Sequence, residues 1–384
     1  MSTSARRDEI CIAGVAEAPL GIVTDHSELS MAALASRAAL DEAGLSFRDV
    51  DGLFTNYMGD EGTVQLGEYL GICPDYADSS DLGGAAFDAY VHHAMLALAA
   101  GHCSVALIAF ASRQRSKRIR SRDAGAPGSL MAQFEAPYGI PAPLGQFALF
   151  AARHMHEFGT TREQLAEIAV AARGWAALNP QAWRREPLTV DDVLNSPPVC
   201  EPLTKLDCCL LLDGGGAVVL TTRDRARDAA RTPIRVLAAT EHHTAWHISQ
   251  HASLTETPGV RTGRAAFAMA GIVPGDVDVF EPYDATTINV LMALEDLGFC
   301  AKGEGGEFVR DGRLAPGGAL PSMTSGGGLS YNHPGAFGVQ LLIEATRQLR
   351  GDAAARQVPG AQVGVVHGIG GLGSVAATVV LARD

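Results

Sequence analysis

An internal repeat constrains the fold of this chain more strongly than any other sequence feature. Ala43-Gly44-Leu45 is followed shortly by Asp49-Val50-Asp51, and Ala270-Gly271-Ile272 is followed at the same spacing by Asp276-Val277-Asp278. In both copies an alanine-rich helical stretch ends at a glycine, which supplies a left-handed cap, and the Asp-Val-Asp sequence leads into a strand. The repeat predicts two copies of one helix-turn-strand unit.

The segments around the two units repeat in the same order. Each unit is preceded by a strand candidate, at residues 10–13 and 234–237, and each half closes on an apolar strand beside a glycine cluster, at residues 214–220 and 374–381. Helices that alternate with fully apolar strands indicate sheets covered on both faces. We therefore predict an α/β fold of two duplicated halves.

The repeat also sets the predicted domain boundaries. The N-terminal half spans residues 1–222, the C-terminal half spans residues 232–384, and the charged segment between them is a linker. The first half carries an insertion at about residues 113–200. The insertion opens with a strongly basic run at residues 113–122. This run is typical of a solvated loop or of a clamp for phosphates such as those of coenzyme A, and both interpretations stay open.

Composition narrows the class of protein. The chain has 384 residues, with 30 Lys and Arg against 43 Asp and Glu, and its formal net charge of −13 argues against nucleic-acid binding. There is no run of about 18 apolar residues, so we expect no membrane span. The N-terminus lacks the apolar stretch of a signal peptide, and we expect a cytoplasmic protein. The seven scattered cysteines include no Cys-x-x-Cys pair, so we expect free thiols and no metal site.

Two further patterns resemble sites, but each lacks a required element. Residues 368–373 match Gly-x-Gly-x-x-Gly, yet a dinucleotide site needs this pattern between a first strand and a helix, and here only a final strand follows. His243, His247 and His251 recur every four residues, which on a helix would align them on one face, but the glutamate of a zinc-protease motif is missing. We expect these histidines to line a pocket or a surface, and their role stays open.

The densest group of candidate site residues lies between residues 281 and 338. Tyr283 and Asp284 follow an apolar strand and precede a helix, so they lie at the carboxyl end of a strand, where α/β proteins bind ligands. A glycine-rich loop further along the chain carries Tyr331 and His333 and leads into a second helix. A histidine just before a helix can donate a hydrogen bond to a developing oxyanion.

These segments resemble the thiolase superfamily, and specifically its sterol-carrier or lipid-transfer group. The matching segments are YDAT at residues 283–286 with the LEDLGFCAKGEGG that follows, the loop SGGGLSYNHPG at residues 325–335, and residues 201–214. The loop is similar to the thiolase loop that contains Gly-His-Pro, with Asn332 in place of the glycine. The resemblance implies a thiolase-like fold with a layered αβαβα architecture, and pairing as a homodimer.

The chain departs from thiolases at the catalytic nucleophile. The resemblance puts the thiolase nucleophilic cysteine at Gly84, and a glycine cannot form an acyl-thioester. Thiolases place a second cysteine near the last glycine loop, where this chain has His367 and Gly368. Tyr283 and Tyr331 resemble those of the steroid side-chain-cleaving aldolases. Those enzymes lack the nucleophile, cleave a β-hydroxyacyl-CoA and work with a small OB-fold partner protein.

The resemblance implies a carbon–carbon lyase that acts on an acyl-CoA thioester by a retro-aldol reaction. Coenzyme A would be part of the substrate, and we expect no separate cofactor. Tyr283 or Tyr331 would be the base and would need a pKa below its usual value near 10. His333 would lower that pKa or would bind the enolate oxygen. His367 is the fourth candidate catalytic residue. We expect Asp284 to have a structural role.

Six glycines complete the candidate site, because backbone without side chains allows close approach of a substrate. The expected substrate-binding glycines are Gly83, Gly84, Gly326, Gly327, Gly370 and Gly371. Gly83 and Gly84 would leave room for a bulky substrate. Two alternatives stay open: a non-catalytic carrier of lipid or acyl-CoA, and an acyltransferase or Claisen-type enzyme that uses His333 and His367 without a covalent step.

Overall fold

The computed structural model describes residues 10–56, 59, 61–118, 128–140 and 142–383. The strands are β1 (Ile10–Glu17), β2 (Gly52–Phe54), β3 (Tyr76–Asp78), β4 (Val105–Ser112), β5 (Pro198–Cys200), β6 (Leu203–Thr204), β7 (Gly214–Thr222), β8 (Ile234–His243), β9 (Val279–Pro282), β10 (Val363–Gly370) and β11 (Val375–Ala382). The α-helices are α1 (Glu28–Glu42), α2 (Gly62–Leu70), α3 (Ala86–Ala100), α4 (Leu130–Phe134), α5 (Leu144–Phe158), α6 (Arg162–Leu178), α7 (Val190–Leu194), α8 (Gly259–Ala270), α9 (Thr287–Asp296), α10 (Gly305–Phe308) and α11 (Gly338–Arg350).

The sheet shows the duplication directly. Nine of the described strands form one sheet in the order β3-β2-β4-β7-β1-β8-β11-β10-β9, and β5 and β6 form a separate two-stranded sheet. In the first half β2 runs parallel to β4, and β4 pairs antiparallel with β7, which pairs antiparallel with β1. In the second half β9, β10, β11 and β8 repeat these pairings in the same sense. β1 and β8 join the halves through an antiparallel pairing.

Both repeat units end as their glycines predict. Gly44 follows α1 with a φ of +68°, and Gly271 follows α8 with a φ of +70°. This left-handed conformation ends the helix, and a short 3₁₀ turn over each Asp-Val-Asp region then leads into β2 and β9. The predicted α/β class with two duplicated halves is confirmed. β7 ends at Thr222 and β8 begins at Ile234, so the predicted linker lies between these strands.

Two buried helices occupy the centre of the fold. α3 contacts strands of both halves, including β4, β8 and β11, and α11 contacts β1, β7 and β10. α1 and α8 cover the outer faces of the first and second half-sheets, which gives the layered αβαβα arrangement. α3 is mostly apolar and mostly buried, as expected for a helix packed between the two halves. In the described part of the chain, no helix combines the length and apolarity needed to cross a membrane.

Candidate active site

The central contact of the site joins Tyr283 and His333. Tyr283 directly follows β9, and its backbone N–H donates to the carbonyl oxygen of His367 on β10, at 2.8 Å. The Tyr283 hydroxyl oxygen lies 3.0 Å from Nε2 of His333, and both side chains are buried. The two rings meet edge to face, with centroids 5.5 Å apart. Packing and a hydrogen bond therefore hold the phenol in one orientation.

His333 is a neutral hydrogen-bond donor to the phenol at physiological pH. Burial lowers the pKa of His333 to about 4, so the imidazole carries no charge at pH 7. Nδ1 accepts a hydrogen bond from the backbone N–H of Gly335 at 3.3 Å. Because a neutral imidazole has one N–H, the hydrogen lies on Nε2 and is donated to the oxygen of Tyr283. The expectation that His333 supports the tyrosine is thus met by hydrogen bonding and not by a positive charge.

Gly84 makes room for the ring of Tyr283. A Cβ atom at Gly84 would lie 2.5 Å from Cζ of Tyr283 and 2.6 Å from the carbonyl oxygen of Ile369. A Cβ at Gly83, whose φ is +60°, would lie 2.5 Å from the backbone nitrogen of Gly371. The expectation that Gly83 and Gly84 leave room for a bulky substrate is therefore wrong, because protein occupies that space. The backbones of Gly83, Gly84 and Gly371 are half-buried and remain accessible beside the phenol.

The other predicted glycines serve the packing of the chain. Gly326, Gly327 and Gly370 are fully buried, and a Cβ atom at these positions would overlap Ala176, Asp284 and Leu82, respectively. These three glycines let backbone segments approach one another closely. Their burial does not favour the predicted contact with substrate, which stays a prediction.

Asp284 holds the glycine-rich loop in place. Its carboxylate accepts hydrogen bonds from the backbone N–H groups of Gly328 at 2.7 Å and Leu329 at 3.0 Å. Burial raises the pKa of Asp284 to about 7, and these two hydrogen bonds oppose the rise. The side chain therefore positions the loop that presents His333.

Tyr331 lies in the same loop but belongs to a different cluster. Its hydroxyl donates to Oε1 of Glu17, whose Oε2 accepts a hydrogen bond from Arg347 at 2.7 Å. Burial and the negative charge of Glu17 raise the pKa of Tyr331 well above its usual value. A base needs the opposite shift, so the geometry favours Tyr283 over Tyr331 as the base, and the choice between them stays a prediction. Glu17 and Arg347 carry no motif that would have revealed this contact from sequence.

His367 faces away from the phenol. Its Nδ1 lies 3.0 Å from the hydroxyl oxygen of Thr378, and burial lowers the pKa of His367 to about 4. The next residue, Gly368, is packed directly against Asp88 of α3. Because side chains alternate along a strand, the imidazole of His367 points to the opposite face, towards α8. This orientation does not favour the predicted catalytic role of His367, which stays a prediction.

The histidine series does not form a helix face. His243 ends β8, while His247 and His251 lie in the following loop, on either side of a short 3₁₀ turn.

The basic run at residues 113–122 makes contacts within the protein. Arg113 donates a hydrogen bond to the carbonyl oxygen of Val23 at 2.9 Å, and Lys117 forms an ion pair with Glu28. The rest of the run, at residues 119–122, lies outside the described residues.

Asp88 is a buried acid that the sequence did not single out. It lies on α3, one turn after Gly84, and is 0% exposed. Among the described residues, neither carboxylate oxygen has a hydrogen-bond partner outside Asp88 itself. A Cβ at Gly338 would lie 2.5 Å from its Oδ2, so the carboxyl group is packed against the first turn of α11. Burial raises the pKa of Asp88 well above its usual value.

This buried acid predicts a pH-dependent gain in stability for Asp88→Asn. Above pH 4 the unfolded chain ionises Asp88 while the folded chain keeps it protonated, so the wild type loses stability as the pH rises. We expect the variant to be more stable at pH 7, by about 1.4 kcal/mol for each pH unit between the unfolded pKa and pH 7 over which folded Asp88 stays protonated. Urea unfolding at pH 7 and pH 3.5 measures this, with the exposed Asp311→Asn as control. An Asp88→Asn effect that is the same at both pH values would contradict it.

Known proteins resemble this chain over nearly its whole length. Residues 240–383 match the family described as thiolase C-terminal domain-like. An acetyl-CoA acetyltransferase from Methanothermobacter thermautotrophicus is 34% identical over 383 residues, which cover 98% of this chain and 100% of the relative. The chain belongs to the thiolase superfamily. The sequence resemblance predicts that Gly84 stands at the nucleophile position of this thiolase-like protein.

Two further relatives are aldolases. A steroid side-chain-cleaving aldolase from Thermomonospora curvata is 36% identical over 358 residues, which cover 88% of this thiolase-like chain and 90% of the relative. The solved structure of an Ltp2–ChsH2(DUF35) aldolase superposes with a TM-score of 0.89 at 33% identity and covers 98% of both chains. Relatives of similar identity thus carry an acetyltransferase name and an aldolase name, and the residues of the site must distinguish these reactions.

Proposed function

We propose that this thiolase-like protein is a carbon–carbon lyase that cleaves a β-hydroxyacyl-CoA by a retro-aldol reaction. The observation that carries the proposal is the position of Tyr283. Its ring packs against Gly84, and its hydroxyl is hydrogen-bonded to Nε2 of His333. An acyl-transfer enzyme of this superfamily needs a nucleophile at this point, and a glycine offers none. A retro-aldol cleavage needs only a base and stabilisation of an enolate, and a phenol beside a hydrogen-bond donor can supply a base.

The reaction balances with one proton that Tyr283 takes and returns. In the reactive state Tyr283 is a phenolate, and the N–H of His333 stabilises the negative charge on its oxygen. The phenolate removes the proton of the substrate β-hydroxyl, the Cα–Cβ bond breaks, and its electron pair forms the enolate of the thioester. The phenol then returns the proton to Cα. The products are a ketone and a shortened acyl-CoA, and Tyr283 is again a phenolate.

The relatives support a bulky substrate with a tertiary hydroxyl group. Two of them are named for cleavage of a steroid side chain and for lyase action on a pregnene-carboxyl-CoA. We propose a steroid-type acyl-CoA as the substrate, with coenzyme A as a part of it and with no separate cofactor. The accessible backbone of Gly83, Gly84 and Gly371 beside the phenol supports approach of the thioester from this side.

We also propose that the protein acts as an assembly. The Ltp2–ChsH2(DUF35) aldolase is named as a pair of proteins, which supports a small OB-fold partner here together with a homodimer of this chain. Co-expression with such a partner, followed by size-exclusion chromatography with light scattering, is expected to give one complex that contains both chains. Separate elution of the two chains at micromolar concentration would argue against this assembly.

Product analysis by mass spectrometry tests the reaction. The protein is incubated with a panel of tertiary β-hydroxyacyl-CoA thioesters, with and without the OB-fold partner. We expect a ketone and a shortened acyl-CoA in equal amounts. Exchange of acyl groups between coenzyme A species would instead indicate an acyltransferase. Tight binding without turnover under every condition would indicate a carrier.

A further inference from the structure

A second cluster of polar side chains lies further along α3. His92 and His93 lie on this helix, eight and nine residues after Gly84. This separation corresponds to about 13 Å along the helix axis. Glu241 is on β8, in the C-terminal half of the chain. One coordinating atom from each of these three residues lies within 4.8 Å of the other two. The cluster is therefore separate from the phenol and draws residues from both halves.

We propose that His92, His93 and Glu241 bind a divalent transition-metal ion, with Zn²⁺ as the best fit. Two imidazoles and a carboxylate are a donor set typical of zinc. Bonds of about 2.0–2.1 Å to a tetrahedral ion place ligand atoms about 3.3 Å apart. Nε2 of His93 lies 3.0 Å from Oε2 of Glu241, a hydrogen-bonded contact close to that spacing, and a bound ion would replace the proton between the two atoms. The third ligand atom, on His92, lies within 4.8 Å of the ligand atoms of both of these residues.

The surroundings of His93 support the assignment independently. Histidines that bind a metal through one ring nitrogen usually donate the other N–H to a carboxylate. Nδ1 of His93 lies 2.5 Å from Oδ2 of Asp78, while Nε2 points to Glu241. The other Asp78 oxygen, Oδ1, accepts hydrogen bonds from the backbone N–H and hydroxyl of Ser80, at 2.8 and 2.7 Å. The imidazole thus has a fixed orientation with Nε2 directed into the cluster.

His243 supplies a fourth ligand. Its Nε2 lies 3.9 Å from Oε1 of Glu241 and its side chain is 46% exposed, so coordination requires the ring to turn towards the cluster. Glu241 and His243 lie two residues apart on β8 and therefore share one face of the strand. An ion here would connect the central helix of the first half to a strand of the second. Its role would be structural, because it lies away from the reacting phenol.

Metal titration of the untagged, full-length protein tests the proposal. After treatment with a chelator and its removal, isothermal titration with ZnCl₂ is expected to show one ion per chain. Co²⁺, as a coloured substitute, is expected to give the intense visible absorption of a tetrahedral site. The Zn²⁺ affinity is expected to fall at least 100-fold in His93→Ala and in Glu241→Gln. His156→Ala, which removes an exposed histidine elsewhere, is expected to leave the affinity unchanged.

Asp78→Asn keeps all the ligands and changes only the group that orients His93. The Zn²⁺ affinity is expected to fall by about 10–100-fold in this variant. Circular dichroism checks that each variant is folded. If a ligand variant does not fold, Asp78→Asn decides the test, because weaker Zn²⁺ binding with an unchanged Co²⁺ spectrum supports the proposed site. The proposal is overturned if the wild type binds no Zn²⁺, or if binding persists undiminished in His93→Ala and Glu241→Gln.

Discussion

Tyr283→Phe is expected to lower the rate of carbon–carbon cleavage by about 10²–10⁴-fold, the range typical of removing a general base. The substitution deletes the one oxygen that contacts His333 and keeps the ring that packs against Gly84. Binding of the acyl-CoA should change little, because the shape of the site is preserved. Steady-state kinetics with ketone detection gives kcat and KM separately, and the loss is expected in kcat.

Tyr331→Phe is the matched control for this variant. It removes the same atom from a tyrosine of similar burial in the same region, but that hydroxyl donates to Glu17. We expect activity within about tenfold of the wild type, and a loss of about 1–3 kcal/mol in the free energy of unfolding, because a hydrogen bond to a charged group is removed. If Tyr331→Phe abolished cleavage and Tyr283→Phe preserved it, the assignment of the base would be wrong.

Gly84→Ala is expected to lower activity by about 10²-fold or more, because displacement of a reacting group by about 1 Å has an effect of this size. The new methyl group would lie 2.5 Å from Cζ of Tyr283, so the ring must move away from His333. Crowding of a packed interior also costs about 1–3 kcal/mol of stability. Gly84→Cys is expected to fail as a restored nucleophile for the same reason. Kinetics and urea unfolding measure both effects.

Gly275→Ala provides the comparison for Gly84→Ala. A Cβ at Gly275 would meet no atom within 4 Å, and the residue is exposed. We expect stability within about 0.5 kcal/mol of the wild type and full activity. Wild-type activity in Gly84→Ala would show that the ring of Tyr283 is not held against this glycine during the reaction.

Local signals in the sequence were enough to predict the architecture. The glycines after α1 and α8, at Gly44 and Gly271, end their helices through their own backbone conformation. Apolar strands and alanine-rich helices follow from periodicity over a few residues. Such features depend on neighbours in the chain, and they predicted the duplicated α/β halves. The same local order placed Tyr283 at the end of a strand and His333 before a helix, and these two residues meet in the structure.

Contacts between distant segments could not be predicted in this way. Tyr331 ends a π-helical turn and His333 follows two residues later, yet one contacts Glu17 and the other contacts Tyr283. The side chain of His367 points to one face of β10, and the segments packed on that face determine its contacts. Each of these outcomes follows from tertiary packing.

The sequence by itself therefore determined the duplicated fold, and it predicted a missing cysteine nucleophile and a short set of candidate residues. Only the tertiary structure decided that Tyr283 and not Tyr331 has a hydrogen-bond donor suited to a base, and that Glu241 meets His93 across the two halves. The physical reason is that helix caps and strand patterns are set by adjacent residues. The burial and partners of a side chain are set by segments hundreds of residues away, which approach only when the whole chain is packed.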